Sequence, residues 1–358
     1  MNIANSIFSG DRGWVELNEL LLLYKNSGIY ILVDENTFGL CLPLLQQNAP
    51  LTREAFIIQI PGGEAHKTIS GIEKVWQKLT TGKAMRSSLL ICLGGGVITD
   101  VGGFAAATFK RGMDFIHIPT TLLAMVDASL GGKTGINLDS VKNQVGVFAQ
   151  PRCVFVFTDF LEALPERQKL SGYAEMLKHA MIDDESHYNE ILQIKTSREF
   201  CSEELILKSA AVKIKIVESD PSEGGIRKVL NLGHTIGHAV ETYSQKNDAV
   251  PLLHGEAVAI GLICESFIAM RMLGLPEKEL KKLVSLINLH YSHYSFKPGS
   301  ASELLVLMAH DKKNTESTRL NFSLIRKIGD PVFDQYPDES LIRESLHFYQ
   351  NLGTEAYN

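Results

Sequence analysis

The sequence predicts an α/β domain over residues 1–160 followed by a mostly α-helical domain over residues 161–358. Three observations support this division. Short apolar runs that end in glycine or small polar residues recur through the first half. Past residue 160 they give way to long stretches with apolar residues at helical spacing. A chain of 358 residues, 45% hydrophobic and 21% charged, can bury the cores of two domains.

The strands come first. GIYILVDEN (28–36), EAFIIQIPGG (54–63), SLLICLGGG (88–96) and FIHIPTT (115–121) have the continuous apolar character of strands covered on both faces. Helical stretches lie between them, as in βαβ crossovers of a parallel sheet. Ligands of such sheets bind at the carboxyl ends of the strands, where these Gly, Asp, Asn and Thr clusters fall. The helical half is read from 166–183, 200–218, 234–246 and 254–273, with RLNFSLIRKIG (319–329) as a late hairpin or strand pair. No internal repeat or low-complexity segment interrupts the pattern.

Net charge is −6 and no long Lys/Arg run occurs, so neither nucleic acid nor an anionic membrane is an expected partner. Cys41, Cys92, Cys153, Cys201 and Cys264 are an odd, scattered set without a CxxC pair, which suits a reduced cytoplasmic protein. The opening MNIANSIFSGDRGW lacks the basic-then-apolar order of a secretory leader, and no run of about 18 apolar residues predicts a membrane span.

The densest chemical signal is GGGVITDVGGFAAATFKRG (94–112). Glycines after a strand let a pyrophosphate approach the backbone, and the following helix offers its first amides. The run is not a G-x-G-x-x-G fingerprint, and a tight turn without a ligand would explain the same glycines. Asp100 stands where it could cap that helix. PGGEAHKT (61–68) is a second glycine turn, with Glu64 and Lys67. DASLGGKT approaches the phosphate-loop order G-x-x-x-x-G-K-[ST], but Asp127 replaces its first glycine, so an NTPase is not expected.

Three helical pieces offer metal donors. SGYAEMLKHAMI places Glu175 and Lys178 on one helix face, NLGHTIGHAVE places His234 and His238 at i, i+4, and LLHGEAVAIG opens on His254. A glutamate and two histidines from three elements have the composition of a catalytic zinc site. Each histidine taken alone is more often a satisfied polar residue or a helix cap than a metal ligand. HxxxH without the glutamate of HExxH speaks against a zincin protease. KIKIVESDPSEGGIRKVLNLGH adds Lys213, Glu223, Arg227 and Asn231, and HDKKN adds two lysines. Cations gathered near a metal in an acidic chain suggest a small, multiply anionic substrate.

The ordered set GGEAHK, GGGVITDVGGF, FKRG, IPTTLLAMVDASLGGKTGIN, KNQVGVF, SGYAEMLKHA, EGGIRKVLNLGHTIGH, HGEAVAIG and DKKN resembles the 3-dehydroquinate synthase family over about 30–330. The resemblance implies a Rossmann-like NAD-binding α/β domain and a mostly α-helical metal- and substrate-binding domain. It also implies zinc, with cobalt as an alternative, and a homodimer. Position by position it assigns Glu175, His234 and His254 to the metal. To NAD it assigns Asp34, Asn36, Glu64, Lys67, Gly95, Gly96, Val97, Asp100, Thr120, Thr121, Lys133, Lys142 and Phe160. Asp127, Lys133, Asn143, Lys178, Lys213, Glu223, Arg227, Asn231, His238 and Lys312 of the pair Lys312–Lys313 fall to catalysis and the substrate cleft. Arg111 matches a residue that reaches across the dimer. Thr99 and Gln168 depart from the usual glycine and glutamate.

The implied reaction turns 3-deoxy-arabino-heptulosonate 7-phosphate into 3-dehydroquinate and phosphate in the shikimate pathway of aromatic amino-acid biosynthesis. It runs through transient oxidation by NAD, β-elimination of phosphate, re-reduction and aldol closure. Other sugar-phosphate cyclases, of 2-deoxy-scyllo-inosose or valiolone synthase type, share the NAD and metal parts. Metal-dependent polyol dehydrogenases share the two-domain plan. Arg227, Asn231 and His238 together favour the acidic substrate, because a carboxylate needs a cationic partner.

Overall fold

The computed structural model of the chain describes residues 6–138, 141–309 and 319–353. It divides into two compact units, Met1–Pro165 with Cys201–Glu218, and Glu166–Phe200 with Ser219–Asn358. The division therefore differs from a single cut at 160/161: the helix Glu203–Ser219 groups with the first unit. Local attachments account for this. Glu203 accepts a 2.8 Å hydrogen bond from Ser9, and Lys213 forms a 2.8 Å ion pair with Asp127.

In the first unit the strands are β1 (Ile7–Ser9), β2 (Ile29–Val33), β3 (Phe56–Gln59), β4 (Leu89–Gly94), β5 (Asp114–Pro119), β6 (Lys133–Leu138), β7 (Val141–Phe148) and β8 (Val154–Val156). Among the described residues, six of them form one parallel sheet in the order β1-β8-β5-β4-β2-β3. β2 and β4 are buried along their whole length, which is why IYILV and LLICLG show no polar alternation. The helix Gly96–Thr108 lies so close to β4 that a Cβ on Gly102 would stand 2.3 Å from Cys92 Sγ.

The chain runs from β2 outward to β3, then returns to place β4 on the other side of β2. This reversal is the topological switch point of a doubly wound sheet, and it opens a crevice at the carboxyl ends of β2 and β4. The sequence motifs after residues 33 and 94 fall at this crevice.

β1, β8 and the antiparallel hairpin of β6 with β7 were not anticipated by the periodicity. β1 and β8 have three residues each, too few to establish a pattern. In the hairpin, small and polar residues hide the alternation, and Gly135 pairs with Gly146 across the strands.

The second unit is mainly helical. The helices Glu166–Asp183 and His254–Leu273 are buried over most of their surface. β9 (Phe322–Lys327) and β10 (Asp330–Gln335) form the late hairpin, which runs further than 319–329 because its turn, not its end, lies at Gly329. Gly329 adopts φ 78°, and its amide donates to the Met181 carbonyl at 3.0 Å. Among the described residues, no helix is long and apolar enough to cross a membrane. All five cysteines are free thiols.

Candidate active site

The metal-ligand candidates all lie in the second unit. Glu175 sits mid-helix in Glu166–Asp183, whereas His234 and His254 each open a helix, His234–Asn247 and His254–Leu273. The His254 helix is fixed at its start. Glu256 accepts from the Leu253 amide at 2.6 Å and is held by Arg167 through two 2.7 Å bonds. The Gly255 amide donates to Ser171 Oγ at 3.0 Å, and a Cβ on Gly255 would lie 2.0 Å from the Ser171 carbonyl oxygen.

These supports bring three donor atoms together. Glu175 Oε1 is 3.2 Å from Nε2 of His234 and 3.2 Å from Nε2 of His254. A tetrahedral zinc ion with bonds of 2.0–2.2 Å separates its donors by about 3.3–3.6 Å, so the spacing fits with small adjustment. The proton arithmetic points the same way. His234 Nδ1 lies 3.0 Å from the Leu232 carbonyl oxygen, which only accepts, so this nitrogen carries the hydrogen. Burial pulls the His234 imidazole down to about 3 against the pull of Glu175, so the ring is neutral at pH 7. Its bare Nε2 then faces the Glu175 carboxylate, an arrangement that asks for a cation between the two lone pairs.

His254 Nδ1 lies 3.2 Å from Glu241 Oε2. Burial disfavours charge on His254, but its hydrogen bonds to Glu175 and Glu241 override it and push the ring up to about 10. Burial would raise Glu175, but Lys178 and then His234 hold its carboxyl well below the usual range. Lys178 pairs with Glu175 Oε2 one helical turn away. His238 lies beside both, with its ring centroid 5.2 Å from His234 and 5.7 Å from His254. The donor nitrogens of these three histidines fall within 4.8 Å of one another.

Other candidates of the second unit are arranged around a short loop. Asp220 accepts from the amides of Gly224, Gly225 and Arg227 at 3.0, 2.7 and 3.1 Å. Arg227 is 2% exposed, and its guanidinium donates to the Pro221 carbonyl at 2.8 Å. Asn231 donates to Glu223 at 3.4 Å, and Glu223 adopts a left-handed φ of 61°. Gln168 is exposed. Lys312 lies outside the described residues.

The dinucleotide candidates lie in the first unit, and those that follow β2 and β4 fall at the switch point. Asp34 follows β2 and caps the helix Glu35–Leu40, accepting from the Thr37 amide at 2.8 Å; Asn36 is exposed on that helix. Gly95, not Asp100, occupies the N-cap of Gly96–Thr108, and no side chain caps it. The amides of Gly96 and Val97 therefore begin a helix whose first turn is open to an anion. A Cβ on Gly95 would stand 3.0 Å from Thr121 Cγ2, and one on Gly96 would stand 3.2 Å from Ala128 Cβ. Side chains at either position would fill the cradle.

Asp100 sits one turn into the helix and pairs with the buried Lys67 at 2.6 Å. Burial pushes its carboxyl up, although Lys67 opposes. Lys67 also donates to Asn143, which adopts φ 52°, and Glu64 accepts from Asn137 at 2.8 Å. Thr99 is 1% exposed and turns its hydroxyl to the Gly96 carbonyl at 3.0 Å. Thr120 and Thr121 follow β5, while Lys133 is exposed at the start of β6 and Lys142 is half-buried in β7. Phe160 is 3% exposed, packed edge-on against Trp14 and Phe157.

Lys213 donates to the Asp127 carbonyl at 2.7 Å besides its ion pair with that side chain. Arg111 is exposed just beyond the helix end, in a turn where Lys110, Arg111 and Gly112 take φ of 49°, 65° and 111°. Sequence reasoning missed Glu241, Glu265 and Asn137. Glu241 was within reach, since it follows His238 by three residues on the same helix.

Comparison with known proteins follows the same outline. Family models described as 3-dehydroquinate synthase N-terminal and 3-dehydroquinate synthase C-terminal match residues 57–171 and 172–314. The 3-dehydroquinate synthase of Parabacteroides distasonis is 44% identical over 337 residues, 94% of this chain and 95% of its own. That of Campylobacter hominis is 38% identical over 318 residues, 88% and 90% of the two chains. A crystal structure of 2-deoxy-scyllo-inosose synthase with carbaglucose-6-phosphate, NAD+ and Co2+ has a TM-score of 0.79 at 26% identity, over 94% of this chain and 95% of that one. A 2-epi-5-epi-valiolone synthase from Streptomyces hygroscopicus, with NAD+ and Zn2+ bound, shares the fold at a TM-score of 0.79 and 23% identity, over 96% of each chain.

Proposed function

Because this chain belongs to the 3-dehydroquinate synthase family, we propose that it converts 3-deoxy-arabino-heptulosonate 7-phosphate to 3-dehydroquinate and phosphate. The observation that carries the proposal within the molecule is the convergence of His234 and His254 on Glu175, with each Nε2 3.2 Å from the same carboxylate oxygen. The reaction class is a carbon–oxygen lyase that eliminates phosphate.

Glu175, His234 and His254 would hold zinc or cobalt, which supplies Lewis acidity toward neighbouring hydroxyls. The Gly95–Val97 turn, with Asp34, Asn36, Glu64, Lys67, Asp100, Thr120, Thr121, Lys133, Lys142 and Phe160, would hold NAD, which supplies a reversible hydride acceptor. Lys67 and Asp100 are held to each other by a 2.6 Å ion pair. Lys133, Lys178, Lys213, Arg111, Arg227 and Lys312 provide cations for the phosphate and carboxylate, and Asp127 holds Lys213 in place. Asn143, Asn231 and His238 orient hydroxyls, and Glu223 fixes Asn231. The protein's own contribution is placement and charge complementarity.

Residence in the cytoplasm as a homodimer belongs to the same proposal, supported by the family and by five free thiols. The test supplies heptulosonate phosphate, zinc and a catalytic amount of NAD, and follows phosphate together with 3-dehydroquinate. Stoichiometric phosphate and dehydroquinate with no net NADH is the expected result. Stoichiometric consumption of NAD would indicate a polyol dehydrogenase instead. No turnover of the heptulosonate phosphate, but cyclisation of a sugar phosphate without a carboxylate supplied in a parallel assay, would indicate another cyclase.

A further inference from the structure

The two histidine-bearing helices of the second unit each carry a buried carboxylate that serves the other helix. Glu241 lies two turns along His234–Asn247, is 6% exposed, and places Oε2 3.2 Å from His254 Nδ1. Glu265 lies three turns along His254–Leu273 and is 0% exposed. Its two oxygens accept the amides of Gly233 at 2.6 Å and Ile236 at 3.0 Å, on either side of His234.

The need for Glu265 is local. The N-cap of the His234 helix is Gly233 at φ 79°, a residue with no side chain to cap the first turn. Ser, Thr, Asp or Asn would cap it but would meet Leu262 at 2.8 Å from Cβ. Glu265 therefore supplies from the neighbouring helix what a capping residue ordinarily supplies from its own. The close approach that permits this comes from Gly261, whose Cβ would lie 1.9 Å from the Gly233 carbonyl oxygen. Glu241 acts on the imidazole itself. A carboxylate on Nδ1 fixes which nitrogen carries the hydrogen, aims Nε2 at the metal point beside Glu175, and makes that nitrogen a stronger donor.

We propose that Glu241 and Glu265 are positioning residues of the metal centre. Glu241 orients and polarises His254, while Glu265 holds His234 by capping its helix, so the affinity for the ion depends on two carboxylates that do not touch it. The proposal rests on the assignment of Glu175, His234 and His254 as ligands.

The experiment strips the full-length protein of metal and titrates zinc against a chromophoric chelator, for wild type, Glu241→Gln, Glu265→Gln and His254→Ala. The melting temperature of each stripped protein is measured alongside. Glu241→Gln keeps the size of the side chain and an acceptor oxygen but loses the charge. It should bind zinc about 10–100-fold more weakly, whatever stability the stripped protein loses with the charge beside His254. Glu265→Gln should weaken zinc and also lower the melting temperature, because one amide of the first turn loses its acceptor. Wild-type affinity in Glu241→Gln overturns the proposal. So does a lower melting temperature in Glu241→Gln with unchanged affinity, which is the signature of a purely structural role. If His254→Ala binds zinc like wild type, the ligand assignment itself fails, a distinct result from failure of the carboxylates alone.

Discussion

Replacing Lys178 with methionine tests how the proposed metal centre manages its own buried charge. Lys178 is 1% exposed and Glu175 is 0% exposed, and the two form an ion pair one turn apart. Methionine keeps most of the volume and removes the ammonium. Removing one partner of a buried pair costs about 3–5 kcal/mol, because the remaining charge has no water to solvate it. Here part of the loss is offset, since His254 is pushed up to about 10 and keeps its proton beside Glu175. The expected cost in the stripped protein is therefore near the lower end, about 3 kcal/mol, or roughly a hundredfold in the folding equilibrium. A bound dication would compensate Glu175 far better than one imidazolium, so the cost should shrink in the zinc-loaded protein. Urea unfolding of wild type and Lys178→Met, each with chelator and with zinc, reads both numbers. Equal losses in the two forms, or no loss in the stripped form, would refute the reasoning.

Three further outcomes are expected. Arg111→Ala should raise KM for the heptulosonate phosphate about tenfold or more while zinc and NAD still bind. Mixed with His234→Ala, it should recover activity toward one working site per mixed dimer, and no recovery despite demonstrated subunit exchange would exclude a role across the interface. Gly261→Ala places a methyl 1.9 Å from the Gly233 carbonyl oxygen and should cost about 3 kcal/mol with loss of metal affinity, read by melting and chelator titration; an unchanged melt would contradict it. His117 is 3% exposed, and burial holds its ring down to about 3. The unfolded chain takes up that proton first, so stability is full above about pH 6.5 and declines as pH falls toward 3, by about 2 kcal/mol at pH 5. Urea unfolding at the two pH values should show this decline shrinking in His117→Gln, and an unaltered pH dependence in that variant would sink the assignment.

Much of the fold was legible in the chain because its signals are local. The runs 28–36, 54–63, 88–96 and 115–121 contain β2 to β5, and the segments 166–183, 234–246 and 254–273 became helices with nearly the same limits. β1 and β8 escaped because three residues carry no period. Asp100 looked like a helix cap because it follows a glycine cluster. The helix in fact starts four residues earlier, at Gly96, which frees Asp100 to pair with Lys67.

The sequence by itself determined the kinds of group available: a glutamate and two histidines on helices, glycines after a strand, and lysines and arginines in an acidic chain. These are properties of neighbouring residues, and backbone geometry turns their spacing into faces and ends. Tertiary structure alone decided which groups meet. Glu175 and the two imidazoles come from three helices whose approach depends on Gly255 lying against Ser171 and Gly261 against Gly233. Glu265 reaches amides 29 and 32 residues away, and the helix Glu203–Ser219 joins the first unit although its sequence neighbours belong to the second. Side-chain spacing is a short-range quantity that consecutive residues encode directly. Convergence is set by how distant surfaces pack, and packing density leaves tenths of an ångström to decide it.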